Sequence, residues 1–291
     1  MKYKKTILYS IKLIILLLIF YFISQKIDFN KLVANFKKLD WYIFVILLVL
    51  EAIRFYLRYL NWVKYLKINP DFNASKKEIL HSHFIGYSLR LILPGGIGTF
   101  GKAFFLKNEK KFTILSTFLE SFFLTWSILA IASISAFFYF KSLANFLKIS
   151  IALLVIFLPY ILKLVVQVLH LKKYKVYFIK FKEILSHVIF LQIFAIVLIP
   201  VEYFVIISFL ENFSIVSTFK TIPLIMVSKT IPISFSGLGL RETFAINILK
   251  KYSISPETAV SATLLIFIFT AVIPALSGTY FLFKHKKESN S

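Results

Sequence analysis

Six stretches of this chain are apolar for long enough to cross a bilayer, and nothing else in the sequence narrows the possible folds as much. A hydrocarbon layer about 30 Å thick needs about 20 helical residues at a rise of about 1.5 Å each. Stretches of that order run over residues 7–24, 41–60, 112–140, 149–169, 188–210 and 258–283. No small-residue cleavage site follows the first, at "IFYFISQK", so it reads as a retained helix and not a leader. A bilayer offers backbone groups no hydrogen-bond partner, so a chain of this kind folds as helices. With 59% hydrophobic residues, the expected class is all-α, a polytopic membrane helix bundle.

Two further apolar stretches are too short to cross. Residues 79–93 stop at "PGGIG", and residues 222–235, which carry Pro223 and Pro232, stop at "SGLG". Each is followed by a short segment, 99–106 and 240–249, that ends in lysines (Lys107, Lys110 and Lys111; Lys250 and Lys251). The pattern predicts two re-entrant helical hairpins, 79–106 and 222–249, beside six full spans. Lysine placement favours hairpins that return to their own side: lysine then concentrates on the side of the N-terminus, whereas eight full crossings spread it evenly. Both termini and the basic loop 170–185 are accordingly expected in the cytoplasm of a multi-pass cell-membrane protein.

"GIG" ending at Gly98 and "GLG" ending at Gly239 are each followed by a lysine pair, 12 and 11 residues on, which suggests an inverted repeat. The expected layout is an N-terminal span with an interfacial helix (1–40), a first repeat (41–169), the basic loop, a second repeat (186–283) and a basic tail (284–291). Ser75 and Glu78 read as a capping box, and Ser255, Pro256 and Glu257 as a helix start. Leu32, Val33, Phe36 and Leu39 form a stripe opposite Lys31, Lys37 and Lys38, as in a helix lying on the membrane surface.

The glycines permit unusual backbone angles, and each pair precedes a short helix whose N-terminus carries unpaired N–H groups. Two such ends near the midplane would suit an anion. Candidate substrate-binding residues therefore gather around these motifs: Arg90, Pro94, Gly95, Gly96, Gly98 and Lys102 in the first, Lys229, Ser234, Ser236, Gly237, Gly239, Arg241 and Glu242 in the second. Only four of the 35 basic residues are arginine (Arg54, Arg58, Arg90, Arg241), and all lie in or beside apolar segments. An arginine fork can hold a phosphate bidentately, which lysine cannot. Arg54 and Arg58, with Glu51 one turn before Arg54, read as structural, either snorkelling or in an internal ion pair; Arg90 reads either way; Arg241 reads as functional. Glu120 and Glu202 lie inside spans, where an acid faces the bundle and pairs with a cation or carries a proton.

A net charge of +22 raises nucleic acid as a partner, but in a membrane protein the same excess belongs to loops facing anionic lipid. The absence of cysteine removes disulfide and thiolate chemistry. His81 and His83, two apart, point to different helix faces, so neither a metal nor another cofactor is expected.

"LPGGIG", then "FLESFF", and above all "IPISFSGLGLRE" resemble the lysylphosphatidylglycerol synthase transmembrane region family of flippase-like proteins, over roughly residues 41–283. Pro94, Gly95, Gly96, Gly98, Gly237, Gly239, Arg241 and Glu242 match its pattern. The resemblance implies movement of an anionic or aminoacylated phospholipid, or of a polyprenyl-phosphate-linked carrier, between leaflets. Relatives often carry an acid soon after the first glycine pair and an arginine after the glutamate, where this chain has Thr99-Phe100 and Glu120-Ser121. Only "KHKKESNS" follows the last span, so the aminoacyl-transferring domain of some relatives is not expected here, nor is enzymatic activity. The competing functions are a secondary transporter of a small anion or amino acid, and a non-catalytic membrane subunit that docks a lipid-modifying enzyme or glycosyltransferase.

Overall fold

Caps and prolines, more than hydropathy, decide where the helices begin and bend. The computed structural model describes residues 21, 25, 27–70, 72–93, 98–142, 144–168, 175–231 and 237–290, which form helices and turns with no strand among them. In chain order the helices are α1 (Phe29–Lys38), α2 (Trp41–Lys67), α3 (Lys76–Ile92), α4 (Gly98–Gly101), α5 (Lys110–Tyr139), α6 (Asn145–Val168), α7 (Lys175–Leu210), α8 (Ile215–Met226), α9 (Leu240–Leu249), α10 (Pro256–Phe267) and α11 (Ile273–Asn290). Tight 3₁₀ turns extend α4 over Lys102–Phe105 and α8 over Val227–Thr230.

Among the described residues, α5, α7 and the α10–α11 rod are long and apolar enough to cross a membrane. The protein is a multi-pass membrane helix bundle. α2 has 27 residues, about 40 Å of helix, but carries Glu51, Arg54 and Arg58 near its middle. The expected first span, 7–24, lies outside the described residues apart from Tyr21.

Ser75 accepts the Glu78 N–H while Glu78 accepts the Ser75 N–H, so the capping box opens α3 as anticipated; Ser255 caps α10 in front of Pro256. Two expectations need correction. The basic loop 170–185 is helical from Lys175, because Tyr177 and Phe181 fall one turn apart and bury against α2 and α5 while Lys180 and Lys182 stay exposed. The second short apolar stretch, read as starting at residue 222, begins at Ile215, where Ser214 accepts the Ser217 N–H.

α1 is not simply laid on lipid. Leu32, Phe36 and Leu39 pack on the core, and Asn35 donates to Thr258 and Ser261 of α10, whereas Val33 remains exposed.

Prolines inside helices remove a donor from the residue four back, and neighbouring helices repair the loss. Trp126 Nε1 donates to the Val155 carbonyl freed by Pro159, at 2.8 Å, tying α6 to α5. Ser135 Oγ donates to the Phe219 carbonyl freed by Pro223, at 2.9 Å, tying α8 to α5. Before Pro274 the last rod widens into a π turn over Ile268–Val272.

Two apolar cores result. One gathers the start of α2, the C-terminal half of α7 and helices α8 to α10; the other gathers the end of α2 with the starts of α3, α5 and α7. Between them lies a layer of charged side chains. α6 and the outer faces of α2 and α7 expose rows of Ile, Leu, Val and Phe, as a lipid-facing surface does.

Candidate functional site

The charged layer is built where two doubled-back segments meet α2, α7 and the π turn. After α3, the chain returns beside it. A Cβ on Gly98 would overlap the Leu89 carbonyl, and one on Gly86 would lie 3.1 Å from the Lys102 side chain, so the two strands of this hairpin run antiparallel in close contact. α8 and α9 likewise pack on each other. α9 starts at Gly239, whose φ of 82° and ψ of −57° suit a residue without a Cβ; Gly237 has φ 88°.

Glu242 has two tasks at that start. Its carboxylate accepts the Gly239 N–H at 2.5 Å and takes Arg241 Nε and Nη2 at 3.2 and 2.7 Å. The cation that opposes the helix dipole is thus compensated by its own neighbour. Glu242 takes the Nε–Nη2 edge of that guanidinium, one of the two edges through which Arg241 could grip a phosphate. The Arg241 guanidinium also lies 5.4 Å from the Phe267 ring centre. Both Arg241 and Glu242 are almost fully buried.

All four arginines of the chain, with Lys229, border one cavity of about 420 Å³, mouth included, completed by Tyr87, Phe267, Thr270 and Ala271. Arg54 sits between Glu51, which it bonds, and Glu202, 3.3 Å from its Nε. Arg58 donates to Tyr87 Oη at 3.0 Å and lies over that ring at 5.2 Å. Arg58, Arg90 and Lys229 have no ion pair among the described residues. A cation at the centre of a membrane helix costs about 2.5–3.5 kcal/mol on insertion scales, so a cluster of them needs compensation.

A second cavity of about 270 Å³ adjoins the first and shares Arg58, Tyr87 and Arg90 with it. His83, Gly86, Thr99, Lys102 and Glu120 complete its walls. Lys102 bonds Glu120 and stands 3.6 Å from the Trp62 ring centre, so this buried acid is paired as its position required. His83 Nε2, buried, finds no partner among the described residues. His81 turns the other way and stacks on Phe281 at 4.1 Å.

Of the residues singled out in the sequence, Arg90, Lys102, Glu120, Lys229 and Arg241 line the two cavities, with Glu202 and Glu242 behind them. Pro94, Gly95, Gly96, Ser234 and Ser236 lie outside the described residues. Arg54 and Arg58, read as structural, border the cavity as well. Tyr87, Thr99, His83 and the π-turn residues Thr270 and Ala271 were missed. Pro274 was the available signal for the last two, because a proline there disturbs the turn that contains them.

No curated protein matches the chain. A family model does, over residues 9–278, nearly the whole sequence, and its description is the lysylphosphatidylglycerol synthase transmembrane region. This chain belongs to the lysylphosphatidylglycerol synthase transmembrane region family.

Proposed function

We propose that this protein moves phosphate-bearing lipids, an anionic phospholipid or a polyprenyl-phosphate-linked carrier, between the leaflets of the cell membrane. The phosphate is held in the cavity ringed by Arg54, Arg58, Arg90, Lys229 and Arg241 while the tails stay in the bilayer. One observation carries the reading: every arginine of a lysine-rich chain converges on one cavity inside a membrane protein. Arginine keeps its charge in a poor solvent and presents paired donors to phosphate oxygens. Arg58 and Arg90, which no carboxylate among the described residues engages, supply those donors. The family's link to lipid points the same way.

We read the two hairpins as re-entrant halves of an inverted repeat. Reciprocal packing supports this: α3 of the first hairpin packs on α11 of the second half, and α8 of the second hairpin packs on α5 of the first. α2 and α7 pack on each other, and the α2–α5 contact has its counterpart in α7–α10. Both termini then lie in the cytoplasm, and an enzyme that makes the lipid is the natural partner. The role is translocation and not catalysis.

The test is translocation in liposomes containing a tail-labelled phosphatidylglycerol, with outer-leaflet label bleached by dithionite. Wild-type protein should expose inner-leaflet lipid to bleaching. Arg58→Gln and Arg90→Gln should slow this about tenfold or more at matched protein levels, the loss expected for a hydrogen bond to a charged group. Rates equal to those of protein-free liposomes would refute the translocase reading. For topology, a cysteine at position 251 should be labelled only from outside.

A further inference from the structure

The charge balance of the two cavities narrows the head group. Four acids are buried among the described residues, and each lies against a cation: Glu51 and Glu202 flank Arg54, Glu120 holds Lys102, and Glu242 holds Arg241. Six cations border the cavities: Arg54, Arg58, Arg90, Lys102, Lys229 and Arg241. Among the described residues six basic groups thus face four carboxylates, an excess that the negative charge of a ligand would offset. Each of these carboxylates lies within 4 Å of a cation, although Glu202 shares Arg54 with Glu51 and makes no hydrogen bond of its own among the described residues.

Resting on the translocase reading, we propose that the site selects a terminal phosphate, a lipid phosphomonoester or diphosphate, over phosphodiester and amine-bearing head groups. A terminal phosphate carries a charge near −2 at neutral pH, because its second ionisation falls at about 6. A diester carries only one negative charge. An aminoacyl or ethanolamine head adds a cation to a site already rich in them, which costs affinity through like-charge repulsion. The two cavities share Arg58, Tyr87 and Arg90, so the shared arginines can serve a terminal phosphate from either side.

The experiment measures binding of the full chain, purified and reconstituted in phosphatidylcholine nanodiscs, to phosphatidic acid, phosphatidylglycerol, phosphatidylethanolamine and inorganic pyrophosphate. Phosphatidic acid should bind about tenfold or more tightly than phosphatidylglycerol, as one further charged hydrogen bond implies, and phosphatidylethanolamine should bind worst. Arg90→Gln and Lys229→Gln, each checked for a monodisperse folded protein, should bring the ratio of phosphatidic acid to phosphatidylglycerol affinity close to one. Equal affinities for the two lipids in wild-type protein, or a preference that survives both substitutions, would overturn the charge inference and leave the translocase reading standing. Binding of pyrophosphate with neither lipid bound would do the reverse: two charges are taken, but from a soluble anion.

Discussion

The two hairpins each bury a cation, and they neutralise it in opposite ways. Lys102 reaches out of the first hairpin to Glu120 on α5 and to the Trp62 ring on α2. Arg241 turns to the adjacent Glu242, which also closes the start of its own helix. The first cation is fastened to the surrounding bundle; the second travels with its hairpin. The glycines differ in the same spirit. Gly98 is small so that the chain can lie against the Leu89 carbonyl, while Gly239 is glycine because of its positive φ. Similar motifs, "GIG" and "GLG", thus meet different physical demands. A shift of the first hairpin must break an ion pair, whereas the second can move with its pair intact.

The largest effect should come from removing one partner of the first pair. Glu120→Ala leaves Lys102 buried without its carboxylate, which should cost about 3–5 kcal/mol. Thermal unfolding in detergent measures it, and Lys102→Met combined with Glu120→Leu should recover most of the loss. A wild-type unfolding temperature in Glu120→Ala would show that Lys102 is not fastened as described. Glu242→Ala should come close to this, since it strips both the helix start and Arg241, and there no apolar double substitution should restore lipid binding.

Next in size are the glycines. Gly98→Ala should destabilise more than Gly239→Ala, because the first meets backbone that cannot rotate away, a clash of about 1–3 kcal/mol or more. The second incurs backbone strain of about 1–3 kcal/mol that a small shift can relieve. The reverse order in the same unfolding assay would mean that the two positions had been assigned the wrong roles.

The smallest effect concerns the start of the first hairpin. Ser75→Ala should cost about 1 kcal/mol through the lost cap. The Ser75 N–H donating to Glu78 holds that carboxylate below its usual range, helped by the nearby Lys107. A carboxylate whose pKa is lowered by folding stabilises above its ordinary titration range and loses that contribution as pH falls through the lowered value. The first hairpin should therefore loosen on acidification. Glu78→Gln, which also weakens the cap at neutral pH, should flatten this pH dependence in hydrogen exchange of α3; an unchanged dependence would place its origin elsewhere.

Much of this was legible in the sequence because membrane burial leaves a coarse signal. The apolar runs marked α5, α6 and the last rod to within a few residues, and Ser75, Glu78 and Ser255 marked helix starts through local hydrogen bonds. The start of α7 was missed because Lys180 and Lys182 outweigh Tyr177 and Phe181 in composition, while spacing decides which face is buried. In the site, the scarcity of arginine was the decisive clue. What it could not convey was convergence: Arg54, Arg58, Arg90 and Arg241 come from three separate helices, and only their packing puts them on one cavity. The choice of Glu242 as the partner of Arg241 was one of several open options, settled by the turn at Gly239, which brings that carboxylate back over the helix start.

The arginine-lined cavity, as we propose, holds a lipid phosphate. Native mass spectrometry of protein released from mild detergent tests it directly, by recording the mass of any lipid retained. Wild-type protein should carry a phosphate-bearing lipid at close to one per chain, and Arg58→Gln with Arg90→Gln should lose it while remaining folded. Retention of the same lipid at the same occupancy in that double variant would contradict the account.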